Sequence, residues 1–404
     1  MRRASVLILM CLIGACDEKV ETDHAFSSAG LRVSDVLGGS DDAGFARAQG
    51  PRAFRFPEDH GAHESYRSEW WYLTSTLRGD DGREFGLQFT LFRQALVPQT
   101  MMSAGALHSE EGTAKDSPKR HVSGPVWQQS QVYLAHFAVT DVAAGIHYAD
   151  TRLARAHPLN AGVSIEPFRA MIDDWRLEEV EAVPWTLSLQ ASGDKGAFGA
   201  QLALQSAQGV VLQGDDGFSA KGPGQASYYF SIPRMSAAGT LRIGSREYRV
   251  KGLTWMDREW STSVLGTHLS GWDWFAANLD DGGSLMVFNL RRRDGTRDSF
   301  NHGLWIAPDG QTTHLKSQDY ELTPLRFWRD RRGDRWPVAW KLETHGLFPQ
   351  TIRFEALVDD QLMDLGLRYW EGIVRVAMGD RDIGRGYMEL TGYGSNDGLN
   401  QPEG

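Results

Sequence analysis

The segment RSEWWYLTSTLRGDDGREFGLQFTLFRQ, from Arg67 to Gln94, alternates with the period of a β-strand on both sides of an Asp-Gly turn. Successive side chains of a strand point to opposite faces. Trp70, Tyr72, Thr74 and Thr76 therefore share one face of the first strand, and Glu69, Trp71, Leu73, Ser75 and Leu77 share the other. Asp-Gly tolerates the positive φ angles of a tight hairpin, so RGDDG reverses the chain and EFGLQFTLFRQ returns as a second strand. Neither strand has a wholly polar face. Both faces are covered, or one of them lines a cavity, and the pattern predicts a β-barrel with a lined cavity.

A degenerate copy of this hairpin comes late in the chain, in SGWDWFAANLDDGGSLMVFNLRRRDG. Trp70 and Tyr72 correspond to Trp272 and Trp274, and Leu77 to Leu279, with turns expected to differ in length. Two such hairpins point to duplicated all-β domains. QVYLAHFAVTD, WTLSLQA, GAQLALQSA, GTLRIGSREYRVKGLTWMDREWS, TIRFEALVDDQ and RGYMELTGY read as further short strands between glycine turns. Few segments hold a helical period, which argues against a layered α/β fold. GAHESYRSEW and SIPRMSAAG read as loops. A chain of 404 residues is long enough for two domains. The expected division is a first barrel over residues 52–240, a second over 241–397 and a tail over 398–404. The 14 tryptophans imply a large aromatic core, a lined pocket, or both.

The chain opens MRRASVLILMCLIGAC, a basic start, a short apolar run and small residues. That is the pattern of a secretion signal, too short to remain as a membrane span. A polar, glycine-containing tether and strap follow over residues 17–51. Cys11 would leave with the signal, which leaves no internal disulfide and no catalytic thiol. The net charge of −10 argues against a nucleic-acid surface, and RRRDG reads as a solvated hairpin.

Two stretches carry candidate chemistry. In GLTWMDREWSTS, Trp255, Asp257 and Glu259 share one strand face, and Met256, Arg258 and Trp260 the other. Like charge and burial beside tryptophan would each raise a carboxyl pKa and leave a proton donor near neutral pH. The competing reading is that an arginine such as Arg258 neutralises one carboxylate in a purely structural pair. In PEDHGAHESYRSEWWY, His60, His63 and Glu69 could bind metal or could close one barrel end by hydrogen bonding. No third ligand has a defined spacing and there is no HExxH. Tyr228 and Tyr229 in QASYYFSIPRM, and Tyr369 in RYWEGIV, could orient a ligand or fill an interface. No Gly-x-Ser-x-Gly elbow and no phosphate loop is present, and GDDGFSAKGPG lacks dinucleotide spacing, so no cofactor is expected.

FPEDHGAHESYRSEWWYLTSTL, ASYYFSIPRM, GLTWMDREWS, GWDWFAANLDDG and YWEGIV with GRGYMELTGY together resemble the AttH-like, carotenoid 1,2-hydratase superfamily. The resemblance covers nearly all of the chain after residue 50. It implies two consecutive lipocalin-like β-barrels and the handling of hydrophobic small molecules. Some members hydrate an isoprenoid double bond, and distant relatives cyclise polyenes. In the hydratases a segment Tyr-x-Asp-His-x-Trp-Gly holds the proposed proton donor. Here it reads Trp255-Met256-Asp257-Arg258-Glu259-Trp260-Ser261, so the aspartate is kept and its tyrosine and histidine neighbours are replaced.

LIGAC further resembles a bacterial lipobox, with Cys16 as the lipidated residue and Asp17 resembling an inner-membrane retention signal. The resulting expectation is a lipoprotein anchored on the periplasmic side of the envelope, favouring the inner membrane. It would bind a lipid or isoprenoid in a pocket of Trp70, Trp71, Tyr72, Tyr228, Tyr229, Trp255, Trp272, Trp274 and Tyr369, and serve an ABC transporter permease. The alternative is a cofactor-independent hydratase or cyclase/isomerase. There Asp257 is the general acid, Glu259 or Glu69 accepts the proton of water, and an indole face of Trp255 or Trp272 stabilises the cation. A purely structural role at the envelope is a third reading.

Overall fold

The computed structural model describes residues 42–98, 130–180, 183–206, 208–262, 265–266 and 268–394. The expected signal with Cys16, most of the expected tether and strap, and the expected tail over 398–404 lie outside the described residues. The strands are β1 Ser68–Gly79, β2 Glu84–Ala95, β3 Gln131–Asp141, β4 Ile146–Arg155, β5 Ala161–Ile165, β6 Phe168–Ile172, β7 Trp175–Val180, β8 Val183–Gly193, β9 Gly196–Ser206, β10 Val211–Leu212, β11 Phe218–Gly222 and β12 Gln225–Ile243. They continue with β13 Arg246–Ser261, β14 Leu269–Leu279, β15 Ser284–Arg292, β16 His302–Ile306, β17 Thr312–Lys316, β18 Tyr320–Arg329, β19 Arg335–Thr344, β20 Ile352–Ala356, β21 Leu362–Leu365, β22 Leu367–Met378 and β23 Arg381–Thr391.

They form two antiparallel sheets. The first runs β4-β3-β2-β1-β13-β12-β9-β8-β7-β6-β5, with β10 and β11 on β12. The second runs β17-β16-β15-β14-β23-β22-β20-β19-β18, with β21 on β22. Each curls into a near-barrel around its own apolar core. In the first, Arg152 on β4 reaches across to the carbonyl oxygens of Ile172 (3.3 Å) and Gln190 (3.0 Å) on the far side. In the second, the Tyr320 hydroxyl at the start of β18 lies 2.6 Å from the Phe288 carbonyl and 3.0 Å from that of His302. The all-β, two-unit expectation holds.

Three details differ from the sequence reading. The expected division near residue 240 falls inside β12, and β13 is zipped between β1 and β12, so the first sheet extends to Ser261. SIPRMSAAG is strand, not loop. The ladder slips between Ile232 and Met235, and such a bulge accommodates Pro233, which has no N–H to donate. The two repeated turns have equal length. Gly82 (φ 83°) and Gly282 (φ 97°) close Asp80–Arg83 and Asp280–Gly283 with the same hydrogen bonds. The difference falls in the strands, because Trp70–Gly79 is longer than Trp272–Leu279.

The pleat of β1 and β13 sorts side chains between two environments. Trp71, Leu73, Leu77 and Met256 enter the first barrel's core. Tyr72 and Trp255 leave it and join Tyr229, Trp274, Phe288, Ile373 and Tyr387 in a third apolar cluster between the sheets. The barrels thus pack outer face to outer face. Gly86 permits the approach, since a Cβ there would lie 2.5 Å from the Tyr387 hydroxyl and 2.9 Å from Ile373. Arg385 pairs with Glu84 across the junction at 3.0 Å. The lined cavity lies in this junction, not inside a barrel. Alternation shows that both faces are covered but not what covers each.

On the inner face, an ion-pair network ties the loop over residues 57–67 to the end of the first barrel. The fully buried Glu69 carboxylate accepts from Arg93, from Arg258 (3.1 Å) and from the His63 backbone N–H (3.0 Å). Burial alone would raise its pKa. Arg93, the His63 hydrogen bond and Arg258 outweigh that and hold it far below the usual carboxylate range. Arg258 also donates to the carbonyls of Trp70 (2.7 Å) and Gly61 (2.5 Å), and lies 3.8 Å over the Trp71 ring. Replacing Glu69 by Gln leaves buried guanidinium charge uncompensated. The expected loss is about 3–5 kcal/mol in chemical denaturation; a loss under about 1 kcal/mol would contradict this role.

Candidate functional site

Strand β13 is the spine of the site because its outward face carries two carboxylates between flanking strands. Asp257 stands opposite Tyr72 of β1 and Ser231 of β12, and Glu259 opposite Trp70 and Tyr229. The Asp257 carboxyl accepts from the Ser231 hydroxyl (2.5 Å) and the Trp255 indole N–H (2.7 Å) on Oδ1, and from the Tyr229 hydroxyl (2.7 Å) on Oδ2. Among the described residues it has no ion pair. Burial pushes its pKa up to about 7, against the pull of these three donors, with the Glu259 charge adding to the rise. Glu259 differs sharply from its neighbour on the same face. It accepts from the Ser227 hydroxyl and pairs at 2.7 Å with Lys221 of β11. The expected neutralisation by Arg258 therefore does not occur at this pair: Arg258 serves Glu69, and Lys221 serves Glu259.

The second sheet contributes the opposite wall. Glu389 of β23 stands opposite Trp274 of β14 and Glu371 of β22. Burial pushes Glu389 up to about 8, opposed by a hydrogen bond from Trp272. Burial also drives Glu371 well above the carboxylate range, and the Glu389 charge adds to this. Glu371 Oε1 accepts from the Tyr72 hydroxyl at 2.6 Å across the junction. Burial raises Tyr72, Tyr229 and Tyr369 well above 10 and keeps them neutral donors. His136 of β3 lies behind Tyr369, its Nδ1 2.7 Å from the phenol oxygen.

These groups surround a cavity of about 70 Å³. It has room for a few waters or one small group of a larger molecule. Ladder registers show its walls to be a duplicated set. Trp70, Tyr72, Phe92, Thr90, Asp257 and Tyr229 in the first sheet occupy the ladder positions of Trp272, Trp274, Leu290, Phe288, Glu389 and Tyr369 in the second. The counterparts Tyr72 and Trp274 meet edge to face at 5.2 Å. Lys221, Glu259 and Leu265 are the lining residues that break the symmetry.

Of the residues singled out from sequence, Asp257, Glu259, Trp70, Tyr72, Tyr229, Trp272, Trp274 and Tyr369 line this cavity. Trp255 supports it through Asp257. The others stand elsewhere. Glu69, Trp71 and Arg258 face the first barrel's interior, one residue out of phase with the cavity face. Tyr228 joins Phe230 and Trp260 in a separate aromatic cluster. His60 packs edge-on to Trp185 and Phe230, and burial lowers its pKa to about 4. His63 stacks on Trp260 at 3.7 Å and bridges Asp59 and Glu69. Both histidines are structural, away from the cavity. No group of three His, Cys, Asp or Glu among the described residues is placed to hold a metal ion. Sequence reasoning missed Lys221 and Glu389. The available signal was the repeat itself: extending the hairpin alignment to the strand beside it places Glu389 at the counterpart of Asp257.

Comparison with known proteins agrees with this architecture. The AttH-like family matches residues 47–393. A structure from Nitrosomonas europaea described as a putative AttH is 31% identical; the match covers 87% of this chain and the whole of that one, with a TM-score of 0.71. Kievitone hydratase from Nectria haematococca is 14% identical over 88% of this chain and 98% of its own, with a TM-score of 0.59. That likeness speaks for the fold alone. No curated protein matches the chain.

The raised carboxyls set a pH dependence. Their unfolded values are near 3.8 and 4.5, and the folded values near 7 for Asp257 and 8 for Glu389. The folded state thus binds more protons between these limits. Its stability contribution is complete below the unfolded values and is lost as pH rises through the folded ones. Denaturation midpoints should fall from about pH 5 to pH 8, and the slope should flatten in Asp257→Asn with Glu389→Gln. An unchanged slope would contradict the assignment.

Proposed function

We propose, for a chain that belongs to the AttH-like family, that the junction cavity is a cofactor-independent acid catalyst acting on an alkene in a small apolar molecule. Asp257 is the proton donor. The observation that carries this reading is a buried carboxyl with no ion pair among the described residues, oriented by three neutral donors on the wall of an aromatic cavity; burial pushes its pKa up to about 7. A general acid works best when its pKa lies near the working pH.

The reacting end of the substrate enters the cavity, whose volume suits an alkene group rather than a whole chain. The Asp257 O–H bond breaks as the alkene π pair forms a C–H bond, leaving a carbocation. The indoles of Trp70 and Trp272 stabilise that charge through their π faces. Water adds to the cation and gives its proton to Glu259, which Lys221 holds in place. Glu259 then releases that proton to solvent and Asp257 takes one back, which resets both carboxyls. Farnesol and squalene, offered as isoprenoid probes in ¹⁸O-water, test the scheme by mass spectrometry. Wild type should add one labelled water. Asp257→Asn should lose about 10²–10⁴-fold in rate with an unchanged circular dichroism spectrum. Wild-type turnover in that variant would overturn the scheme.

We also propose that the protein works from the periplasmic face of the envelope, anchored through lipid on Cys16 in the inner membrane, beside an ABC transporter permease. The N-terminal MRRASVLILMCLIGAC supports the anchor. Cys16→Ser should move the protein from the membrane to the soluble fraction, and retention in the membrane would contradict the anchor.

A further inference from the structure

The duplicated lining has a chemical consequence. Asp257 and Glu389 hold the same ladder position in the two sheets, and both line one cavity. Each has a tryptophan N–H donor, from Trp255 and Trp272 respectively. Their remaining surroundings differ. Asp257 faces Ser231 on the next strand, whereas Glu389 faces a second carboxyl, Glu371. Directly opposed side chains on neighbouring strands have Cβ atoms roughly 4.5–5.5 Å apart. Two carboxylates that close and that buried cannot both be ionised at low cost, so Glu371 and Glu389 hold at least one proton between them.

We propose that Glu389 is a second catalytic residue of the site and works with Asp257 as a proton-in, proton-out pair, so that the enzyme shifts or exchanges double bonds as well as hydrating them. The inference rests on the acid-catalysed reading above. Asp257 adds a proton to the alkene, as described. With no water in place, a C–H bond next to the cation breaks, its electron pair forms the new double bond, and the proton passes to the Glu389 carboxylate. The product is an isomer of the substrate. Asp257 ends ionised and Glu389 protonated, and exchange with solvent resets both. No oxidant, reductant or cofactor is required.

The pair works in the singly protonated form with the proton on Asp257 and Glu389 ionised. Glu389 holds a proton more strongly than Asp257, so this is the minor of the two singly protonated forms, and the rate follows its population in a bell-shaped dependence on pH. The charged and titratable groups facing Glu389 are Glu371 and Tyr369 on β22, Asp257 and Glu259 on β13, Lys221 on β11 and Tyr72 on β1. Glu259 and Lys221 compensate each other, and burial keeps Glu371 protonated well above the carboxylate range, so the Asp257–Glu389 coupling governs the profile.

Deuterium exchange separates the two roles. Farnesol and squalene are incubated with the protein in ²H₂O, and both water addition and carbon-bound deuterium in the unhydrated probe are measured. Wild type should do both. Glu389→Gln, which keeps the shape and an acceptor for Trp272, should lower the ratio of exchange to water addition at least about a hundredfold. Glu389→Asp should restore part of the exchange, as a merely structural role would not. Asp257→Asn should lose both activities. The wild-type ratio in Glu389→Gln overturns the pair. If wild type neither hydrates nor exchanges either probe, the hydration reading fails on these substrates, and the pair is decided by tryptophan fluorescence during pH titration. Two coupled steps in wild type and one in each single variant support it; two unaltered steps in Glu389→Gln overturn it.

Discussion

Asp257 is buried among neutral hydrogen-bond donors, and the cations that would hold it ionised are committed to other carboxylates. Arg258 and Arg93 go to Glu69, and Lys221 goes to Glu259. Desolvation then acts on Asp257 without Coulombic compensation, and the group keeps its proton at a pH where an exposed aspartate has lost it. The rest of the site depends on this imbalance. Without the second sheet, the outer face of β13 would meet water and Asp257 would be an ordinary surface carboxylate. The packing of two barrels outer face to outer face is therefore what creates the acid, as well as what encloses the cavity.

The pleat supplies the separation. Asp257 and Arg258 are neighbours in the chain, yet they point to opposite sides of one strand. On the inner side, charge is neutralised and serves to fasten a loop across the barrel end. On the outer side, it is left partly uncompensated. A one-residue slip of β13 would exchange the two sets. Pairing on both flanks, to β1 and β12 over most of its length, specifies the register against that slip.

Much of this was legible in the chain. Alternation in WWYLTSTL, the Asp-Gly turns and the return of the hairpin at Trp272 were enough for two all-β units. The parity of TWMDREW correctly set Asp257 and Glu259 apart from Arg258. What alternation could not reveal was the partner of each face. Trp71 and Trp70 look equivalent in sequence, yet one fills a barrel core and the other lines the junction. Glu69 looked as suitable an acceptor as Glu259 because its chief partner, Arg93, lies on the next strand. Lys221 was hidden in a glycine-rich stretch whose short edge strand has no period to read. Glu389 sat in a strand read only as the closure of the last domain.

The decisive measurement is a titration of the Asp257 side-chain carboxyl itself, by ¹³C NMR on protein labelled at aspartate Cγ. The Asp257 signal is assigned by its absence in Asp257→Asn. Its midpoint should lie near 7. A midpoint at the ordinary value of 3.8 would show Asp257 to be ionised throughout the neutral range, and the junction cavity would then have no acid with which to begin its chemistry.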